Sequence, residues 1–370
     1  MQTKQTSFLS GLSRGRFLAV ALGLVMAMSP SLSAANPRIV VEVNSGRVIE
    51  HEDAFRKWYP ASLTKLMTAY TTFRAVKSGR ISLESIVTMS KKAADQPASK
   101  MYFKPGAQLT LDSALKLLLV KSANDIAVAI AETVGGSLDN FVGQMNSNAA
   151  RLGMSSSHFV NPNGLPGAGQ YTTARDLAVL AVAIRREFPE YAGYFSLEGV
   201  TTGKRTYPNY NLLIGRFDGA DGMKTGFICA SGFNQVSSAT RNGRTVISVV
   251  LGADSLGARA DLSADLLQKA LTTRSGASVT LETLAPYGEG RDQVADISSD
   301  ICSQTARKER SEGRDEEGRM KLFSPYIREM DRPPRAVFAG LLPGGEVSAQ
   351  PASASNAIAN VPIPIPRPNF

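Results

Sequence analysis

An α+β fold is expected from two changes of hydrophobic period along the chain. Strand-like residues come first, at Arg38 to Val43 and Arg47 to Glu50, and helical patterns then fill most of the stretch from Ser62 to Arg185. Strands return at Gly222 to Phe227, Gly232 to Ala239 and Thr245 to Leu251, and a last helix follows. Tight-turn residues, Asn44-Ser45-Gly46 and Asn242-Gly243, join neighbouring strands and make those pairs antiparallel. Strands grouped on either side of a block of helices, instead of strict alternation, mark the α+β class.

Each element has its own local reason. Pro60 suits a helix entry, so a helix should begin with Ser62 in its first turn, run to about Lys77 and stop at Ser78-Gly79. From Ile81 to Leu109 the pattern is mixed, with loops at Pro97 and Pro105-Gly106. Thr110 and Asp112 then start a helix whose apolar face, Leu111, Ala114, Leu115, Leu118 and Leu119, runs up to Ser122. Ile126 to Val134 resumes the helical pattern and ends at Gly135-Gly136, which leaves Ser122 and Asn124 at a junction between two apolar helices. Further helices are expected over Leu138 to Leu152, Thr173 to Arg185 and Arg259 to Leu271, with a loop at Asn161 to Gly167. After Gly276 the character changes to short β-like pieces such as Ala277 to Leu281, then a charged run from Arg307 to Arg319, then Pro333-Pro334. The Pro/Ala/Ser/Asn-rich residues from about 335 to 370 cannot bury a core and read as disordered or polyproline-like. The expected division is therefore 1–35, 36–275, a partly ordered 276–334, and the tail.

At 370 residues, 43% apolar and 20% charged, the chain can bury a sizeable core in one large domain or two smaller ones. A net charge of +9 is spread out, without a basic stripe interleaved by aromatics, so no nucleic-acid partner is expected. Lys4, Arg14 and Arg16 precede an apolar run from Phe17 to Met28, and Ser33-Ala34-Ala35 offers a small-x-small cleavage site. That run falls short of the roughly 20 residues a membrane span needs, so residues 1–35 read as a signal peptide. Arg14-Gly15-Arg16 is not an adjacent arginine pair, which points to the general secretion route and an exported, periplasmic protein. In such a compartment the only two cysteines, Cys229 and Cys302, are expected to form a disulfide. The only two histidines, His51 and His158, cannot supply a zinc site and read as structural, so no metal or cofactor is expected.

Scarce histidine turns attention to lysine as a base. Ser62 and Lys65 stand at i and i+3, on one face of the expected helix. A serine hydroxyl is a poor nucleophile until a neighbouring base takes its proton, and a lysine serves only if burial or a second cation lowers its pKa. Ser-x-x-Lys alone is weak evidence. Ser122-Ala123-Asn124 and Lys224-Thr225-Gly226 follow it in order and at wide spacing, and the three together are the signature of penicillin-interacting serine enzymes.

On these motifs, residues from about Asn36 to Arg274 resemble a low-molecular-mass penicillin-binding protein of the serine-type D-alanyl-D-alanine carboxypeptidase family. Asn161-Pro162-Asn163-Gly164-Leu165, Thr172 to Ala178, and Asp221-Gly222-Met223 ahead of Lys224 add to the likeness. The resemblance implies an antiparallel sheet flanked by helices, with an inserted all-helical subdomain, followed by a largely irregular C-terminal segment. It implies that Ser62 is acylated, that Lys65 takes its proton, and that Ser122 relays the proton while Lys224 keeps the field positive. Asn124 would bind the substrate amide, and the backbone N–H groups of Ser62 and Phe227 would form an oxyanion hole beside Gly226. Thr225 and Arg259 would receive the terminal carboxylate. The implied partners are peptidoglycan stems ending in D-Ala-D-Ala, and β-lactam inhibitors. The family's C-terminal β-domain and amphipathic membrane-binding end are not recognisable after Gly276, which leaves membrane association without an identified anchor. A β-lactamase would need a carboxylate to drive water, and none occurs between Asp139 and Asp176. A non-catalytic wall-binding protein of the same fold would have lost a nucleophile or lysine that this chain keeps.

Overall fold

Alternating apolar residues build a sheet that is covered on both faces. The computed structural model describes residues 1–2, 36–273, 278–312 and 320–345. The expected signal peptide, the end of the charged run and residues 346–370 lie outside the described residues. β1 (Arg38–Glu42) turns back into β2 (Val48–Glu52), and a 3-10 turn at Ala61–Leu63 leads into α1 (Thr64–Lys77). β3 (Ile86–Thr88) and β4 (Gln108–Thr110) form a small antiparallel pair around α2 (Lys91–Ala94), inside the stretch that read as mixed. Next come α3 (Leu111–Lys116), a π-helical turn at Leu117–Lys121, α4 (Asn124–Gly135), α5 (Leu138–Arg151) and α6 (Ala174–Glu187). The short β5 (Gly199–Thr201) and β6 (Thr206–Pro208) precede the long β7 (Ala220–Ile228), β8 (Gly232–Arg241) and β9 (Arg244–Ala253), then α7 (Leu256–Thr272). α8 (Ser298–Cys302), α9 (Gln304–Glu312) and β10 (Ala336–Phe338) complete the described chain.

The main sheet runs β2-β1-β9-β8-β7 and is antiparallel throughout. Asn242 and Gly243 both take positive φ, 51° and 73°, the geometry that a two-residue hairpin between twisted strands requires. Ile39, Val41, Ile247, Val249 and Leu251 point to the face covered by α6. Val40, Val246 and Val250 point to the face covered by α7, where they meet Ala260, Ala264 and Leu267. α1 packs against α4, α5 and α6 and is buried on every side from Thr64 to Phe73, as its lack of a charged face beyond Lys65 dictates.

Several helix starts follow side-chain caps. Thr110, Ser137, Thr173 and Ser255 each accept a backbone N–H three residues on. Ser255 sets the start of α7 at Leu256, so Arg259 stands in its first turn and is not its first residue.

The expected disordered tail needs correction over 335–345. Glu198 receives both terminal nitrogens of Arg332 at 2.7 Å and the Arg335 backbone N–H, and Arg332 holds its carboxyl down to about 2. β10 pairs parallel with β5, Ala339 is buried, and the Leu342 N–H reaches Gln108. Composition misses this because the short apolar run from Ala336 to Leu342 is averaged into the Pro/Ala/Ser/Asn-rich tail, and because it docks by adding a strand to an existing edge through main-chain hydrogen bonds. No described helix is long and apolar enough to cross a membrane.

Candidate active site

Ser62 sits in the 3-10 turn just ahead of α1 and not in the first α-helical turn that its spacing suggested. The reason is a backbone kink: Ala61 has φ of +46°, and the regular helix begins only after Leu63. Two glycines let other backbone pack against this turn. A Cβ on Gly164, itself at φ +84°, would lie 1.8 Å from the Ala61 carbonyl oxygen. A Cβ on Gly226 would lie 3.0 Å from the Ser62 nitrogen and 3.2 Å from both the Leu63 nitrogen and the Pro60 oxygen. The edge strand β7 thus runs beside the Ser62 N–H, one of the groups at a helix start that no intrahelical carbonyl uses.

Lys65, one helical turn on, is fully buried. Its Nζ reaches Ser62 Oγ at 3.0 Å, Asn124 Oδ1 at 2.7 Å and the Asn163 carbonyl at 2.6 Å. Asn124 donates its own Nδ2 to the Pro97 carbonyl, which fixes the amide so that its oxygen faces Lys65. Burial pulls the Lys65 pKa well below 10.5, the Lys224 charge pulls it further, and Asp125 opposes. Asp125 does not enter the site: its carboxylate caps the backbone N–H groups of Met101 and Tyr102 at 2.8 and 3.1 Å.

The π-helical turn after α3 delivers Ser122 in a left-handed conformation, φ +60°, instead of continuing one helix. Its hydroxyl is buried and has no protein hydrogen-bond partner. Asn124, two residues on, is the first residue of α4. Lys224 lies inside β7, 2% exposed, with Nζ donating to the Thr225 carbonyl at 2.8 Å. Burial and then the Arg259 charge lower its pKa to about 7. Thr225 and Gly226 line the cleft, and Phe227 at its rim packs on Phe233 with ring centroids 4.3 Å apart. Arg259 is fully buried yet pairs with no carboxylate among the described residues. It reaches only the Asn234 and Tyr210 carbonyls, at 3.4 and 3.3 Å, and its Nε has no partner. Burial lowers its pKa to about 9, which leaves it cationic at neutral pH.

Ser62, Ser122, Asn124, Thr225, Gly226, Phe227 and Arg259 all line one cleft of about 390 Å3, with the Lys65 and Lys224 amines buried beneath. The residue types expected from three distant motifs and one helix thus converge. The groups that escaped the sequence include the following two. The Asn163 backbone carbonyl carries no side-chain signature, although the buried loop around Gly164 marks its neighbourhood. Tyr210, which lines the cleft beside Arg259, follows no motif. His51 instead bonds Tyr287, and His158 bonds the Gly169 carbonyl, so neither enters the cleft. Cys229 and Cys302 form a disulfide that ties α8 to the turn after β7, next to the cleft wall.

Residues 25–255 match the protein family described as D-alanyl-D-alanine carboxypeptidase, a match that ends just before Arg259. Among curated relatives, D-alanyl-D-alanine carboxypeptidase DacC of Escherichia coli is 36% identical over 263 residues, 68% of this chain and 66% of that protein. This chain therefore spans just under two thirds of that relative's length. The crystal structure of the D-alanyl-D-alanine carboxypeptidase DacD from Francisella tularensis superposes with a TM-score of 0.62 at 33% identity, covering 65% of this chain and 71% of that one. Penicillin-binding protein D2 of Listeria monocytogenes, solved in an ampicillin-bound form, gives 0.57 at 30% identity and covers 65% and 98%. With its antiparallel sheet, its helical block and its converged serine and lysines, this chain belongs to the D-alanyl-D-alanine carboxypeptidase family.

Proposed function

We propose that this protein is a serine-type D-alanyl-D-alanine carboxypeptidase that removes the terminal D-Ala from peptidoglycan pentapeptide stems and is acylated by β-lactams. The hydrogen-bond set of Lys65 carries the reading. Two of its three partners, Asn124 Oδ1 and the Asn163 carbonyl, can only accept. A neutral Lys65 amine spends its two hydrogens on them and turns its lone pair to the Ser62 hydroxyl, 3.0 Å away.

Ser62 Oγ then attacks the carbonyl of the penultimate D-Ala while Lys65 takes the hydroxyl proton. The developing oxyanion sits in the narrow gap between β7 and the Ser62 turn, facing the Ser62 and Phe227 backbone N–H groups. Ser122, whose hydroxyl is unpartnered, relays a proton to the leaving nitrogen as the C–N bond breaks and D-Ala departs. Water attacks the ester, and the proton returns to Ser62. Asn124, Thr225 and Arg259 orient the peptide, with the unpaired buried guanidinium receiving the terminal carboxylate. No carboxylate belongs to the described lining of the cleft, so nothing of that kind drives water onto a β-lactam adduct, and a long-lived acyl-enzyme is expected.

The same reading makes the protein a periplasmic one, supported by the basic-then-apolar N-terminal residues and by the Cys229–Cys302 bridge. Incubation of purified protein with a D-Ala-D-Ala-terminated pentapeptide, followed by mass spectrometry, tests the activity. Loss of one alanine supports it, and an unchanged peptide overturns it.

A further inference from the structure

Beyond Tyr210 the surface opens into a second pocket of about 400 Å3. Three separate segments wall it: the loop carrying Lys100 and Tyr102, the β5–β6 hairpin carrying Arg205 and Tyr207, and Leu341 of the docked C-terminal segment. Lys121 is the partition between this pocket and the reaction cleft. Its Nζ donates to Tyr210 Oη at 2.9 Å and to Ser99 Oγ at 3.0 Å, and both residues line the cleft. The same ammonium stands 5.3 and 5.4 Å from the Tyr207 and Tyr210 ring centroids, and Lys100 stands 5.1 Å from that of Tyr102. Arg205 is exposed at the hairpin. No Asp or Glu belongs to the described lining of this pocket. The carboxylate behind it, Asp125, is buried and occupied by main-chain N–H groups.

We infer that this pocket is a second subsite for a carboxylate-bearing peptide, namely a neighbouring acidic peptide of the polymer whose D-alanine end occupies the cleft. The inference rests on the carboxypeptidase reading. Cations stacked on ring faces, beside apolar lining residues such as Met101, Phe103 and Leu341, suit a carboxylate on a carbon chain better than a small hydrated anion. The placement gives the direction. Tyr210 meets Arg259 through its carbonyl and Lys121 through its hydroxyl, so the pocket adjoins the end of the cleft where the terminal carboxylate is received. A single leaving alanine is too short to cross Tyr210, so the occupant comes from a second peptide. The docked segment is part of the device, because its residue 341 closes one wall. A substrate presented on a polymer is then held at two points, and an isolated short peptide at one.

Calorimetry with the Ser62→Ala protein tests the pocket without turnover, using a glutamate-rich acidic tripeptide, its fully amidated form, and inorganic phosphate. The acidic tripeptide should bind better than either control, and Arg205→Glu should weaken it by about tenfold through lost attraction and new repulsion. In the Ser62-containing protein, Arg205→Glu should lower kcat/KM on peptidoglycan fragments relative to kcat/KM on a short neutral D-Ala-D-Ala peptide, through KM. Equal binding of the amidated tripeptide, equal binding of phosphate, or indifference to Arg205→Glu would overturn the subsite. If the unmodified protein leaves the short peptide uncleaved, the carboxypeptidase reading fails, and the binding measurements still judge the pocket.

Discussion

Gly226→Ala is a change of one methyl group that should disable the enzyme while leaving it folded. A Cβ there would stand 3.0 Å from the Ser62 nitrogen and 3.2 Å from the Leu63 nitrogen and Pro60 oxygen. All three are backbone atoms in a turn already kinked at Ala61, so no side chain can swing aside. Non-bonded carbon contacts relax at about 3.5 Å or more, so β7 and the turn must part by about half an ångström. Oxyanion donors work only within a window of about 2.7–3.1 Å, so that displacement takes a donor out of range. The expected loss in acylation rate is on the order of 100-fold, the scale associated with small misplacements and with a lost oxyanion donor. In a strand free of such neighbours alanine is tolerated better than glycine, so a generic strand argument predicts the opposite sign for stability. The assay is the rate of labelling by a fluorescent penicillin, read beside kcat/KM on the pentapeptide and a thermal melt. Acylation within about twofold of the unchanged protein, in a folded variant, would show that the gap between β7 and Ser62 is not the oxyanion site.

Ser62→Ala should abolish covalent penicillin labelling, and labelling that persists assigns the nucleophile elsewhere. Arg259→Ala should lower kcat/KM by more than about tenfold, the worth of a charge-assisted contact; a C-terminally amidated peptide should already show that loss and be indifferent to the mutation, whereas additive losses would rule out carboxylate recognition. Lys224 is held at about 7 in the folded state against 10.5 ordinarily, so the unfolded chain binds the extra proton between those values. Stability should therefore rise with pH above about 7, and the rise should be weaker in Lys224→Met; unfolding free energies from urea titrations that are equal at pH 7 and 9, or that rise equally in Lys224→Met, would contradict this. Cys229→Ser should cost up to roughly 4 kcal/mol by loop-closure entropy over the 73-residue separation, and two reactive thiols in the denatured, unreduced protein would show that the bridge does not form.

The amino-acid sequence alone determined what is local. Ser62 Oγ and Lys65 Nζ come within 3.0 Å because residues three apart stack on one side of the 3-10 turn that leads into α1, and the four capping residues set helix starts within one residue of their own positions. Period-two alternation in β1 and β9 assigned side chains to the two faces of the sheet, and Asn242-Gly243 set the hairpin. The three motifs were legible as a set, and they supply Ser62, Ser122, Asn124, Thr225 and Gly226 of the cleft lining. What the tertiary structure decided depends on partners distant in sequence. Lys65 becomes a usable base because folding buries it under residues 59 and 98 positions away and places the charge of Lys224 near it. Gly226 matters because β7 passes against the Ser62 turn, and no pattern within either stretch contains the other. Residues 335–345 follow the same rule: their short apolar run, Ala336 to Leu342, is too small to make a core alone, and it is ordered by an edge strand, by Glu198 and by Gln108, contacts that exist only once the rest of the chain has folded.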